Sequence, residues 1–268
     1  MDDLAEHLSA RLGLNVECGG ALGGGDLSEV VSATTEDGRR LVVKRGGPLP
    51  AEARMLAAIT AAGCPAPEVL LAEDNLLVMT RLPEGRPGTA QGHAEAGAAV
   101  ARLHADTAEA YGWSEDHAFG PVPCPAERNG DWVAFWAERR LLAWPDHLPA
   151  PLARRIERLA TRLPGTLPAK PAASLLHGDL WSGNVLFDGS FSGVIDPACY
   201  HGHGEVDLAM LTLFGSPHPA FWEAYGPLDP GWEERRPIYQ LWPALVHLRL
   251  FGAGYRIMVE RLLAEAGV

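Results

Sequence analysis

Residues 174–196 read SLLHGDLWSGNVLFDGSFSGVID, an apolar and glycine-rich stretch that contains a few charged and polar side chains. Asp179 lies two positions after His177, Asn184 lies five positions after Asp179, and Asp196 ends the stretch. A carboxylate among apolar residues must be paired or bound to a cation. Because carboxylate and amide oxygens are ligands that Mg²⁺ prefers, the stretch predicts a magnesium site.

The spacing H-x-D-x-x-x-x-N, followed by a second aspartate, is typical of kinase-type phosphoryl transfer. In that chemistry one carboxylate orients the acceptor hydroxyl and accepts its proton, while an asparagine and another aspartate hold Mg²⁺. We therefore predict that Asp179 is the catalytic base and that Asn184 and Asp196 are metal ligands. Pro197 follows Asp196, where protein kinases have Phe-Gly. The alternative is a loop in which Asp179 and Asn184 only cap turns.

A glycine cluster, GGALGGG at 19–25, lies between two β-rich runs near the N-terminus. It lacks the GK[ST] ending of a Walker A loop, so it is not a P-loop. In a loop between two strands, glycine lets backbone amides approach phosphate oxygens because no Cβ blocks them. The alternative is a flexible turn that binds no ligand. The predicted phosphate-binding positions are Gly23, Gly24 and Gly25.

Lys44 ends the strand-like run LVVK, much as the phosphate-binding lysine ends the kinase motif V-A-I-K. Glu52, at the start of the next helical run, is its predicted partner, and Glu29 is a rival. Without a ligand, Lys44 would be solvated and Glu52 would be a favourable acid in a first helical turn. The segment that joins the two halves of the chain supplies backbone groups predicted to bind adenine, namely those of Thr80, Arg81 and Leu82.

Other polar and aromatic residues surround these motifs. Asp207, early in an apolar helix, is predicted to bind backbone amides of the catalytic loop and, with His177, to fix its geometry. Trp181 is predicted to form a wall of the acceptor pocket. His104 is predicted to be structural, and His247 is open between a pocket role and a structural one. The nearby H-x-H-x-E pattern does not favour a metal site, because no helix places a further ligand.

The elements that must position these residues begin with a β-rich segment. A helix is predicted at 3–12, and a second, Ala-rich helix follows Pro50 at 51–62. β-rich runs are predicted at 14–20, 29–35 and 40–45, with two short strands around Asp74-Asn75. Asp37-Gly38 is a hairpin signal. These runs predict a small, mostly antiparallel sheet with one inserted helix.

After the segment RLPEGRPG the pattern becomes helical. The predicted helices lie at 93–105, 131–144, 151–163, 205–214 and most of 232–265. One β-rich interruption is predicted, a hairpin in which NVLF and FSGVI flank Asp188-Gly189. Four tryptophans at helical spacing are predicted to be core residues, namely Trp132, Trp136, Trp222 and Trp242. The predicted fold is α+β and bilobal, with an N-lobe over 1–82 and a helical C-lobe over 83–268.

Composition narrows the class of protein further. The chain has 268 residues, 47% of them hydrophobic, and a formal net charge of −12. Such a charge disfavours nucleic acid as a partner, because that partner needs a basic surface. The N-terminus is acidic and no apolar run is long enough for a membrane span, so we expect no membrane partner. Four scattered cysteines without a CxxC pair are typical of a reduced, cytoplasmic protein. We expect a monomer rather than an obligate oligomer.

Several longer motifs resemble the fructosamine kinase, or ketosamine-3-kinase, family within the aminoglycoside-phosphotransferase and protein-kinase-like fold. They are HGDLWSGN with its Trp, IDPACY followed by GEVDLAML, AYGPLDPGWEERRPIYQLWP and HLRLFGAGY. YGWSEDHAFGPVPCPAERNGDWVAFWAERRL also resembles this family and is unlike generic kinases. The resemblance covers nearly the whole chain and is far more specific than the glycine loop.

The resemblance implies an ATP- and Mg²⁺-dependent kinase that phosphorylates the 3-hydroxyl of a sugar attached to an amine as a ketoamine. The phosphorylated adduct is then unstable and releases the amine, which is deglycation. The ketosamine would be a small molecule or bound to a protein. A ketoamine nitrogen is protonated, so an acidic pocket would favour it, and Asp116 and Glu205 are its predicted contributors.

Two alternatives to a ketosamine kinase stay open at this point. The first keeps the fold but changes the acceptor to an aminoglycoside, a choline-like compound or another hydroxyl compound, because acceptor loops diverge easily. The second is a catalytically inactive kinase-like binding protein. The intact set of Lys44, Asp179, Asn184 and Asp196 argues against the second alternative.

Overall fold

The computed structural model describes residues 2–23, 29–47 and 49–268. Its N-terminal part is a five-stranded antiparallel sheet with the strand order β1-β2-β3-β5-β4. The helices are α1 (Asp2–Leu12) and α2 (Leu49–Ala61). The strands are β1 (Val16–Ala21), β2 (Glu29–Thr35), β3 (Arg40–Arg45), β4 (Val69–Glu73) and β5 (Leu76–Thr80). The sequence-based prediction of an antiparallel sheet with one inserted helix is confirmed.

Strand β3 carries Lys44, and its register fixes the face on which that side chain lies. Lys44 is paired with Val30 of β2 and with Leu77 of β5. Successive side chains of a strand point to opposite faces. Val43 is buried with Leu8 of α1 on one face. Lys44 therefore lies on the other face, where Leu77 packs beside residues of α2.

The C-terminal part is mainly helical. Its helices are α3 (Ala90–Ala105), α4 (Trp132–Trp136), α5 (Ala150–Arg162), α6 (Glu205–Leu211), α7 (Pro219–Tyr225), α8 (Trp232–Phe251) and α9 (Arg256–Glu265). Its strands are β6 (Thr107–Ala108), β7 (His117–Phe119), β8 (Val122–Cys124), β9 (Ala173–Leu176), β10 (Val185–Asp188), β11 (Ser190–Val194) and β12 (Tyr200–Gly202). Trp132 and Trp136 are completely buried at the centre of one large apolar core.

The β-structure of this part is richer than the sequence predicts. The expected hairpin is present as β10 and β11, with Gly189 at a φ of 82° in its turn. The prediction of a single β-rich interruption is wrong, because β6, β9 and β12 form a three-stranded sheet and β7 pairs with β8. Helix α7 was also not predicted. Strands of two to four residues are too short for alternation to identify them in a sequence.

Two further observations concern the organisation of the chain. The predicted lobe boundary at 82/83 falls between the end of β5 and the start of α3. Among the described residues, no helix combines the length and apolar character needed to cross a bilayer.

Candidate active site

The catalytic loop connects strand β9 to strand β10 and is fixed by one buried carboxylate. Asp207, completely buried at the start of α6, accepts hydrogen bonds from the backbone N–H of His177 at 2.7 Å and of Gly178 at 2.9 Å. His104 Nε2 lies 3.1 Å from Asp207 Oδ2, and its Nδ1 lies 2.9 Å from Tyr225 Oη. Asp207 thus makes the predicted contacts with the loop, and His104 has the predicted structural position.

The ring of His177 ties the loop to the segment that carries Asp196. His177 is fully buried, and its Nε2 lies 2.9 Å from the carbonyl oxygen of Ile195. Its Nδ1 accepts a hydrogen bond from the backbone N–H of Asp179 at 3.3 Å. Burial lowers the pKa of His177, so the ring is neutral at neutral pH. A neutral ring can make both contacts, one as donor and one as acceptor.

Asp179 and Asn184 lie together at the mouth of this loop. Asn184 Nδ2 donates to the backbone oxygen of Asp179 at 2.9 Å and to its Oδ2 at 3.1 Å. Burial, and then the neighbouring charges of Asp196 and Asp207, raise the pKa of Asp179 to about 7, although the Asn184 hydrogen bond opposes the shift. A carboxylate with a pKa near neutrality is suited to accept a proton from a substrate hydroxyl.

Lys44 connects the sheet to the C-terminal part. Its Nζ lies 2.6 Å from Glu52 Oε1 of α2 and also contacts Asp196 Oδ1. Burial opposes the charge, but the carboxylates of Glu52 and Asp196 outweigh it and raise the pKa of the Lys44 ammonium. The rival partner Glu29 binds Arg45 instead, at 3.3 Å. The chain therefore pairs Lys44 with Glu52.

Asp196 has a backbone φ of 56°, in the left-handed region that few residues other than glycine adopt. Such strained positions cluster at functional sites. The donor chemistry around it fits Mg²⁺: the Asp196 carboxylate and the side-chain oxygen of Asn184 are both hard oxygen ligands beside Asp179. These residues could hold the ion beside Asp179.

The structure adds glycines to the predicted phosphate-binding region. Gly23 is exposed at the end of β1, while Gly24 and Gly25 lie outside the described residues, so their role stays a prediction. Gly46 and Gly47, with φ values of 84° and 93°, directly follow β3 and line the cleft beside Lys44. In the sequence, these two residues are recognisable as a Gly-Gly pair that directly follows the strand of Lys44.

The segment predicted to bind adenine has fewer free backbone groups than expected. The N–H of Thr80 donates to Glu68 at 2.9 Å, and the N–H of Arg81 donates to Arg40 at 2.9 Å. Both donors are therefore engaged by the protein itself. Within the described chain, the N–H of Leu82 has no hydrogen-bond partner and is the backbone donor left for a ligand at this position.

A cleft of about 730 Å³ runs from Lys44 past Asp179 into the C-terminal part. Trp181 and His247 both line it, and their contact with an acceptor stays a prediction. Trp242, predicted as a core residue, is buried and also lines the cleft. Trp222 is partly buried against the main core.

The two carboxylates predicted for the acceptor pocket lie elsewhere, which corrects that prediction. Glu205 is buried and binds Arg235 through both oxygens, with its Oε2 at 2.7 Å from Arg235 Nε. Asp116 accepts a hydrogen bond from the backbone N–H of Ala126 at 2.7 Å. Neither residue lines the cleft. The ligand atoms of His203, Glu205 and Asp229 lie within 4.8 Å of one another, and within this group Glu205 is bound to Arg235.

Comparison with known proteins shows which family the chain belongs to. The fructosamine kinase family model matches residues 5–266, and the chain belongs to that family. It is 38% identical to a probable ketoamine kinase of Thermus thermophilus, over 95% of this chain and 96% of the relative. It is 35% identical to the chloroplastic protein-ribulosamine 3-kinase of Arabidopsis thaliana, over 63% of this chain and 55% of that protein.

A solved structure has the same fold over nearly the full length of the chain. The crystal structure of a protein provisionally named fructosamine-3-kinase, from Thermobifida fusca, superposes with a TM-score of 0.92 at 32% identity, covering 99% of both chains. The predicted α+β kinase-like fold is thereby confirmed. Three other probable ketoamine kinases are matched over only 59–64% of their own length.

Proposed function

We propose that this protein is an ATP-dependent kinase that phosphorylates the 3-hydroxyl of a ketosamine. The observation that carries the proposal is the convergence, in one cleft, of the buried Lys44–Glu52 pair with Asp179, Asn184 and Asp196. These side chains come from a strand, a helix and two loops that are far apart in sequence. Membership of the fructosamine kinase family supports the choice of acceptor.

In the proposed reaction Asp179 orients the acceptor hydroxyl and accepts its proton. The hydroxyl oxygen forms a bond to the γ-phosphorus of ATP, the bond from that phosphorus to the β–γ bridging oxygen breaks, and ADP leaves with the electron pair. The near-neutral pKa of Asp179 supports this role, because a base of that strength can take the proton during transfer and lose it afterwards.

The remaining residues position the nucleotide. Lys44, held by Glu52, binds phosphate oxygens, and the N–H of Leu82 binds the adenine edge. Asn184 and Asp196 would hold Mg²⁺, which when bound neutralises the charge of the phosphates. Asp207 keeps the loop of Asp179 in place through its two backbone hydrogen bonds.

The charge of the cleft favours a ketosamine over an aminoglycoside. An aminoglycoside carries several ammonium groups and is matched by an acidic pocket. Among the described residues, the acidic side chains that line the cleft are Glu52, Asp179 and Asp196, all at the catalytic end. Glu52 and Asp196 are already paired with Lys44. A ketosamine carries a single ammonium group at its ketoamine nitrogen and needs no such array.

A coupled assay of ADP release tests the proposal, with fructosamines, ribulosamines, erythrulosamines and aminoglycosides as acceptors. We expect ketosamines to stimulate ADP release and Asp179→Asn to abolish that stimulation. Asp188→Asn is the matched control, because Asp188 lies in the same hairpin but binds Arg86 at the surface. Stimulation by aminoglycosides alone would show that the acceptor is wrong. No stimulation by any acceptor would indicate a binding protein without kinase activity.

A further inference from the structure

Beyond Asp179 the cleft is bordered by a row of aromatic side chains, which we call the aromatic wall. Its members are Trp181, Phe214, His247, Phe251 and Tyr255. The exposed fraction of the residue is 39% for Trp181, 40% for Phe214 and 47% for Phe251. These residues are too exposed to act as core. Large apolar side chains that border a cleft in this way mark a binding surface.

The aromatic wall is continuous and begins at the catalytic loop. The ring centroids of Trp181 and Phe214 are 6.4 Å apart, and those of Phe214 and His247 are 5.2 Å apart. His247 lies 5.5 Å from Phe251 and 4.9 Å from Tyr255, again between centroids. The wall thus extends from a residue two positions after the proposed base to Tyr255, just beyond the end of α8.

Two contacts hold the near end of the wall in position. The ring of Trp181 lies over Gly183, where an added Cβ would stand only 2.3 Å from the ring. His247 Nδ1 lies 2.8 Å from the carbonyl oxygen of Pro243 in the preceding turn of α8. Both rings therefore present fixed faces to the cleft.

The wall carries no formal charge. Among the described residues that line the cleft, the charged side chains are Lys44, Glu52, Asp179 and Asp196, and all four belong to the catalytic end. A carboxylate placed against the wall would lose its hydrating water and would find no basic side chain there to pair with. A protonated nitrogen near Trp181 would instead be attracted by the ring face.

We infer that the aromatic wall binds the amine half of the ketosamine and selects amines whose substituent is apolar and free of carboxylate groups. This inference rests on the proposed function. The sugar lies at Asp179, the protonated nitrogen lies beside Trp181, and the substituent packs against Phe214, Phe251 and Tyr255. Adducts of alkyl or arylalkyl amines fit this arrangement, and adducts of free α-amino acids do not.

Three adducts of the same sugar test the inference: those of benzylamine, methylamine and glycine. We expect kcat/KM for the benzylamine adduct to exceed that for the methylamine adduct about tenfold, and the glycine adduct to be the poorest. Phe251→Ala should lower kcat/KM for the benzylamine adduct about fivefold and leave the methylamine adduct within twofold. Its side chain is half exposed, so the substitution preserves the fold. Ile257→Ala, at an apolar side chain that is 77% exposed outside the cleft, is the control and should change neither value.

The outcomes separate this inference from the proposed function. Equal kcat/KM for the three adducts, or equal losses for all of them in Phe251→Ala, would overturn the selection by the wall while leaving the kinase activity in place. A preference for the glycine adduct would also overturn it. Absence of turnover with all three adducts would overturn the proposed function and this inference together.

Discussion

Replacing Asp179 by asparagine should abolish phosphoryl transfer and, at neutral pH, stabilise the fold. Loss of the base is expected to lower kcat at least 10²-fold to 10⁴-fold, while binding of ATP with Mg²⁺ stays largely intact. The stability gain has a separate cause. Wild-type protein must hold an ionised carboxylate in a half-buried position beside Asp196, and the asparagine variant does not. The side-chain oxygen of aspartate or of asparagine at position 179 can accept the hydrogen bond from Asn184, so this contact is kept in the variant.

The size of the stability gain follows from the pKa. Asp179 has a pKa raised from 3.8 to about 7, so the folded state binds its proton more tightly than the unfolded state. The resulting penalty is absent below pH 3.8, grows between pH 3.8 and about 7, and is complete above that range. This rise in the pKa of Asp179 corresponds to a penalty of roughly 4 kcal/mol as an upper bound. Because the carboxylate opens to water in the cleft, we expect about 2 kcal/mol.

Urea unfolding of both proteins at pH values from 4 to 8 measures this difference. The free energy of unfolding of Asp179→Asn should exceed that of wild type by about 2 kcal/mol at pH 8 and by nearly nothing at pH 4. Asp188→Asn should show no such pH-dependent gain, because Asp188 is bound to Arg86 at the surface. A constant difference across this pH range would refute the assignment of a raised pKa to Asp179.

Three further predictions concern the pH profile, the catalytic loop and the helix packing. In wild type, kcat/KM should rise with pH through an apparent pKa at or below about 7. The proposed transfer needs ionised Asp179, and a bound cation lowers the pKa of that carboxyl. A kcat/KM profile that is flat from pH 5 to 9 would contradict this prediction. Asp207→Asn turns an amide N–H toward a backbone donor, so thermal unfolding should show a free energy of unfolding that is lower by about 1–3 kcal/mol. In the same variant, kcat should fall by a larger factor than that by which KM for ATP rises. Gly97→Ala places a Cβ 2.2 Å from the backbone oxygen of Phe221, so urea unfolding should show a loss of about 1–3 kcal/mol, and an unchanged midpoint would contradict the close packing of α3 and α7.

Long or strongly patterned elements could be predicted from the sequence. The Asp-Gly pairs at 37–38 and 188–189 each form the expected hairpin turn, because glycine adopts positive φ without a steric cost. Helix α2 (Leu49–Ala61) is the Ala-rich helix predicted at 51–62, but it begins two residues earlier, with Pro50 in its first turn. Strands of two to four residues, such as β6 and β12, depend on pairing between distant segments, so no local pattern identifies them.

The catalytic end of the site could be predicted more fully than the acceptor end. Lys44, Asp179 and Asn184 lie in short motifs whose spacing is set by the chemistry. An acidic pocket for a protonated amine predicts a role for Glu205 there, but its partner Arg235, thirty positions later, cannot be deduced from local spacing. The aromatic wall is built from three separate segments, so its continuity is visible only in the folded chain.

The double contact of Lys44 has a consequence for how two ligands bind. In the proposed reaction a divalent cation would need the Asp196 carboxylate and the nucleotide phosphates would need the Lys44 ammonium group, but in the structure these two groups contact each other. Whichever ligand arrives first must break this ion pair, and the second then finds its partner already free. We therefore expect the two binding events to be positively cooperative, even without a contact between phosphate and cation. By thermodynamic reciprocity, the cation strengthens nucleotide binding by the same factor by which the nucleotide strengthens cation binding.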